Sequence, residues 1–157
     1  MYEIILFMKL EEEIQSKFKD NYHKLLVNIV YSYSWAYTIL RKQLKTQNLT
    51  TQQFNILRIL RGQHPQPATV NLLKERMLDK MSDASRIVER LIKKKLVVRE
   101  INQKDRRAVD IYITEKGLEL LKKLDKMDLG TDVLRKNLSP EETDQLNRLL
   151  DQMRGKE

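Results

Sequence analysis

Ser82, Ser85, Arg86, Glu89, Arg90, Lys93 and Lys94 fall in one short stretch of the chain. Hydroxyls and cations of these types donate hydrogen bonds to phosphates and to the acceptor edges of bases, and arginine's planar fork does both. Their spacing decides whether they can act together. At about 100° per residue, Ser82, Arg86, Glu89 and Lys93 lie opposite the apolar Ala84, Ile87, Val88, Leu91 and Ile92, with Ser85 and Arg90 flanking. One helix therefore buries one face and presents a polar, mostly basic one. Glu89 either accepts from a cytosine amine or orients Arg86. The same residues also suit an ion-pair ladder on a solvated helix, worth only a few tenths of a kcal/mol. Catalysis has less to work with: the chain has no cysteine, two histidines far apart and no glycine-rich phosphate loop. The Lys93-Lys94-Lys95 run suits a phosphate clamp better than a catalytic lysine.

Neighbouring elements must hold that face outward. Ser82 is the expected N-cap of the helix. Thr69 is expected to cap a preceding helix, Val70 to Met77, and to offer a phosphate that helix's N-terminus. Asp79-Lys80-Met81 is the turn between the two, so the pair makes a helix-turn-helix with the second helix as reader. After the reader the period changes. Leu96, Val97 and Val98 lead into a strand ending near Ile101, and Val109, Ile111 and Ile113 alternate with Asp110 and Tyr112. Asn102 to Arg107 forms the charged tip between them. A helix followed by such a ribbon predicts a winged helix, with the helix in a major groove and the wing reaching sideways to backbone or minor groove. Arg106 and Arg107 at the tip suit a narrow minor groove or a phosphate, and also suit a solubilising loop.

Five short motifs stand in register. They are Leu49-Thr50-x-x-Gln53-Phe54, Ser85-Arg86-x-Val88-x-x-Leu91, Lys94-Lys95-Leu96-Val97, Asp105-x-Arg107 and Ile113-Thr114-Glu115-Lys116-Gly117. In order and spacing they resemble the MarR (multiple antibiotic resistance regulator) family of bacterial transcription factors, from about Tyr22 to Met153. The resemblance implies a mainly α fold with a small β-hairpin wing: a winged helix-turn-helix with N- and C-terminal dimerisation helices. It implies that Arg107 is the wing arginine and Asp105 the acid that holds it. It also implies a small aromatic or phenolic ligand near the dimerisation helices, for which Tyr33, Tyr37 and Arg41 are the candidate residues. One departure stands out. The family usually places glycine between the lysine and leucine that close the reader helix, and this chain has Lys95, so a tighter or less cleanly terminated helix end is expected.

Outside the reader region the chain is helical in pattern. Tyr22, Leu26, Ile29, Tyr33, Tyr37, Leu40 and Leu44 step by three and four along one long helix, widened by Val30, Trp35 and Ile39. Thr50 and Gln53 form a capping box, and Leu49 with Phe54 has the spacing of a hydrophobic staple. His64-Pro65 and Gln66-Pro67 bar that helix from continuing. Leu118, Leu121, Leu124 and Met127 mark a further helix that Gly130 interrupts or kinks. Ser139-Pro140-Glu141-Glu142 starts the last helix, with Leu146, Leu149, Leu150 and Met153 as its apolar face. Stripes at both ends, with little chain to cover them, are expected to cover each other across a two-fold axis.

The 157 residues predict one domain, with about 50–113 as the winged-helix DNA-binding part and about 9–47 and 114–155 as dimerisation helices. The net charge is +8, and Arg58 to Arg107 holds 14 Lys/Arg against 6 Asp/Glu, so all the excess lies there. That concentration favours a polyanion partner. No apolar run reaches membrane-spanning length, and Met1 to Phe7 is too short for a signal-peptide core, so a cytoplasmic protein is expected, starting at Met1 or Met8. The expected function is a non-enzymatic, cofactor-free regulator that binds a palindromic operator in double-stranded DNA as a homodimer. A ligand-released repressor is the favoured form. The alternative is a winged-helix module that binds protein without specific DNA readout.

Overall fold

The computed structural model describes residues 9–102 and 108–155, which group into two units, one up to Ile39 and one from Leu40 onward. The order is α1 (Leu10–Glu13), α2 (Asn21–Lys45), α3 (Thr51–Gln63), α4 (Val70–Arg76), α5 (Ala84–Lys93), β1 (Val97–Ile101), β2 (Val109–Ile113), α6 (Glu115–Leu124), α7 (Thr131–Asn137) and α8 (Pro140–Arg154). The fold is the expected winged helix-turn-helix, mainly helical with one hairpin. Among the described residues no helix is long and apolar enough to cross a membrane.

In the first unit, Lys24 of α2 pairs with Glu11 at 2.5 Å, and the Tyr31 hydroxyl donates to Glu13 at 2.6 Å. Glu11 is thereby held below the usual carboxylate range, chiefly by the Lys24 hydrogen bond. Tyr22, Leu25, Leu26, Val30 and Tyr33 remain exposed on α2.

The second unit is built around α3. Its start is fixed by the capping box: Thr50 Oγ1 accepts from the Gln53 N–H, and Gln53 Oε1 accepts from the Thr50 N–H, both at 3.2 Å. Phe54, Ile56, Leu57 and Leu60 are buried, and α3 packs against α4, α5, α6 and β2. Leu44, Leu73, Met77, Ala84, Val88, Leu91, Val97, Ile111, Leu121 and Leu124 are among the residues that join them in the core. The sheet is antiparallel, with Val97 opposite Ile113 and Ile101 opposite Val109. Sequence pattern missed a third contact on its edge: Ala68 exchanges both backbone hydrogen bonds with Ile111, at 2.9 and 3.0 Å. A single bridging residue is too short to show alternation.

Gly130 separates two helices and does not kink one. It adopts φ +106° as the N-cap of α7, and Asp128 Oδ1 accepts from the N–H groups of Gly130, Thr131 and Asp132. Gly117 sits in the first turn of α6, where a Cβ would lie 2.5 Å from the Leu96 carbonyl oxygen and 2.7 Å from Ile113 Cγ1. Only glycine lets α6 approach the sheet that closely.

The reader helix ends cleanly despite lacking glycine. Lys95 takes the left-handed conformation itself, at φ +60°. The Lys95 N–H donates to the Ile92 carbonyl at 2.8 Å and the Leu96 N–H to the Leu91 carbonyl at 3.1 Å, the paired bonds of a Schellman motif. Leu96 and Leu91 are both buried, as that motif's apolar contact requires. A side chain in this conformation costs roughly 1–2 kcal/mol, part of which glycine returns through its freer unfolded chain. Lys95→Gly should therefore stabilise the fold by about 0.5–1 kcal/mol, read as a shift of the urea midpoint at unchanged m-value. A variant less stable than the parent would mean that the lysine side chain contributes more than its backbone costs.

Candidate nucleic-acid interface

The reader helix is held in register by the turn before it, and the turn is built on Asp79. Its carboxylate accepts from the Ser82 hydroxyl at 2.6 Å and from the Met81 N–H at 3.1 Å. Those bonds, the Ser82 hydroxyl foremost, hold the Asp79 carboxyl below its ordinary range, and the Gln52 side chain of α3 adds to them. Ser82 is therefore not the cap. Asp83 is: its Oδ1 accepts from the Arg86 N–H at 3.2 Å. Both residue types cap well, and a carboxylate also complements the positive end of the helix dipole. With Asp79 three residues back, the serine hydroxyl has a charged acceptor of its own and goes there.

The inner face of α5 buries Ala84, Val88 and Leu91, which leaves Ser85, Arg86, Glu89, Arg90 and Lys93 exposed. Arg86 keeps 79% of its side chain in solvent, with Nε 3.6 Å from Asp83 Oδ2. An exposed pair of that length restrains the guanidinium little, so it remains able to reach a ligand. Arg86 and Arg90, one turn apart, line a cleft of about 280 Å³ with Ser82, Asp83 and Ile87 and with Thr50, Gln52 and Gln53 at the start of α3. Among the described residues, Asp83 is the only acid on its lining. Neither Gln52 nor Asp83 stood out in the sequence. The signal for Asp83 was its place beside Ser82, and for Gln52 there was none.

Lys94 leaves the group. Its ammonium donates to the Asn48 carbonyl and to Gln53 Oε1, the latter at 3.0 Å, tying the end of α5 to the start of α3. Burial pushes its pKa down. Sequence spacing put Lys94 in a basic run but could not show that the helix ends there and turns it inward. The freed carbonyls at the end of α5 are met by Lys116, which donates to the Lys94 carbonyl at 3.0 Å, and by the Thr114 hydroxyl, which donates to that of Lys95 at 2.9 Å. Thr69 caps α4 as expected, its Oγ1 accepting from the Leu72 N–H at 3.2 Å, and is exposed.

At the wing, Asn102 Nδ2 donates to both carboxylate oxygens of Asp110, at 3.0 and 2.9 Å, which closes the ribbon below its tip. Asp105, Arg106 and Arg107 lie outside the described residues. On α2, the rings of Tyr33 and Tyr37 lie 5.7 Å apart, and Arg41 further along the helix is exposed.

Comparison with known proteins fits this geometry. Residues 47–108, from the start of α3 to the wing, match the model of the MarR family. No match was found among curated proteins. Among solved structures, a putative MarR-like transcription regulator from Bacillus cereus is 26% identical, with a TM-score of 0.73 over 85% of this chain and 96% of that one. MepR of S. aureus, in complex with DNA, is 23% identical with a TM-score of 0.71 over 86% of this chain and 97% of its own. The organohalide-sensing transcriptional regulator RdhR, in its 2,4-dichlorophenol-bound form, is 22% identical with a TM-score of 0.74 over 98% of this chain and 88% of its own. Residues 47–108 thus match the MarR family, and the chain as a whole shares the fold of winged helix-turn-helix transcriptional regulators of that family.

Proposed function

We propose that the chain is a repressor that binds a palindromic operator as a homodimer and is released by a small aromatic ligand. The observation that carries DNA reading is α5 itself. Its inner face is locked in the core while Ser85, Arg86, Arg90 and Lys93 stand exposed on the other side. Such a helix fits a major groove, where arginine bonds a guanine edge bidentately. Thr69 contributes near phosphates, Ser82 stays bonded to Asp79 in the turn, and Arg106 and Arg107 with Asp105 extend the contact from the wing. Ligand release draws on a likeness: the relative bound to 2,4-dichlorophenol is an organohalide sensor. The paired rings of Tyr33 and Tyr37 are proposed to meet such a ligand's ring.

Base reading and backbone anchoring can be separated by mutation. Arg86 lies near the N-terminus of the reader, where a side chain reaches base edges. Arg86→Ala should cost about 1–3 kcal/mol on the selected operator and flatten preference at one base pair per half-site. Arg107→Ala should weaken most sequences alike and make the salt slope shallower by about one per wing, with shape preference lost as well where its groove is a narrow A-tract. Affinities for the operator and its single-base variants decide between them. An intact base-preference profile after Arg86→Ala, with the profile erased by Arg107→Ala, would reverse the two assignments.

A further inference from the structure

The turn into the reader helix holds two large apolar side chains out in solvent. Leu78 is 88% exposed and Met81 94%, while Met77 and Ala84 on either side of the turn are buried. The turn is braced and cannot fold them down. The Leu78 N–H donates to Asn55 Oδ1 of α3 at 2.9 Å, and the Met81 N–H and Ser82 hydroxyl both donate to Asp79. One exposed leucine needs no explanation. Two such side chains in a fixed turn, where polar residues are the rule, call for an occupant.

The surroundings select that occupant. Lys74, Arg76 and Arg86 are exposed around the turn, and the Lys80 ammonium donates to the Glu75 carbonyl. Of the nearby acids, Asp79 is engaged by the turn and Asp83 by the helix cap, which leaves the exposed Glu75 carboxylate against four cations. An apolar protein surface would have to desolvate those cations. A duplex offers phosphates to the cations and, in the major groove, the 5-methyl group of thymine to an apolar side chain. Met81 lies in the turn that leads into α5, ahead of the exposed Ser85 and Arg86, and its unbranched thioether adapts to small apolar targets.

We infer that Met81, with Leu78 in the same braced turn, packs against thymine 5-methyl groups, so that each half-site is read by an apolar contact as well as by polar ones. The inference rests on the DNA-binding reading proposed above. It is tested on duplexes that the wild-type protein selects from a random pool, with each thymine in turn replaced by uracil, which removes only the methyl. At one or two positions per half-site uracil should weaken wild-type binding by about fourfold, the equivalent of one buried methyl. Met81→Ser should lose a similar factor on the thymine duplex and no longer distinguish the two bases there. Leu78→Ser should do the same more weakly. Both side chains are exposed, so circular dichroism should be unchanged. Equal wild-type affinity for thymine and uracil at every position would overturn the inference and leave DNA binding standing. A Met81→Ser protein that keeps the wild-type discrimination would overturn it and assign the methyl contact to another residue. A wild-type protein that selects no sequence would overturn the DNA reading, and this inference with it.

Discussion

If the chain binds DNA as the proposed dimer, raising the salt from 50 to 200 mM should lower its affinity for a duplex by about 10³–10⁵. Each neutralised phosphate releases condensed counterions, so log K falls against log salt with a slope near −0.9 per contact, and about 6–10 contacts give that range. The contacts are available because the charge is concentrated. All of the net +8 lies between Arg58 and Arg107, the segment that contains α4, α5 and β1. Lys94 is subtracted from the count because its ammonium is bonded to Asn48 and Gln53. Lys93, Arg86 and Arg90 remain exposed on the reader. The same titration separates DNA binding from the rival reading of a protein-docking wing, since a docking site dominated by apolar contact responds weakly to salt. A flat response on duplex DNA would remove the polyanion partner altogether.

What the sequence showed and what it hid divide along physical lines. Caps and stripes are local, and they were legible. The Thr50–Gln53 and Ser139–Glu142 capping boxes form as their spacing predicts, and the wing strands pair where the alternation places them. What depends on competition between neighbours was not. Ser82 and Asp83 could each cap α5, and only the position of Asp79 decides in favour of Asp83. Lys95 could have frayed the helix end; instead the backbone adopts the glycine conformation, because two hydrogen bonds and the Leu91 and Leu96 burial outweigh the local cost. Contacts over long sequence separation were least legible. Lys94 reaching the start of α3, Ala68 bridging to Ile111 and Asn55 holding the turn at Leu78 leave no periodic trace. The candidate site was thus readable as a helix face, while the direction of individual side chains on it was not.

Removing residues 139–157 should leave a protein that is monomeric or aggregated and that no longer binds its operator. The helix removed, α8, is well formed at its start, with Pro140 in its first turn and the Ser139–Glu142 capping box. Yet it buries no residue in the chain by itself. Leu146, Leu149 and Met153 recur on one side and are between 45 and 53% exposed. A helix of this length gains its stability from packing an apolar face more than from propensity, so that face needs a cover. A second copy supplies one under two-fold symmetry, since the same patch is then buried on both sides. The loss of DNA binding follows from geometry. A dimer engages two half-sites a helical turn apart, or a multiple of that, and a monomer keeps one set of contacts. Sedimentation of the truncated protein gives its mass, and titration of the operator gives its affinity. Circular dichroism of the remaining helices shows whether the reader unit is still folded, which its core from Leu44 to Leu124 should ensure. A truncated protein that sediments as a dimer and binds the operator normally would move the interface away from α8, with the exposed Tyr22, Leu25, Leu26 and Val30 of α2 as the next surface to examine.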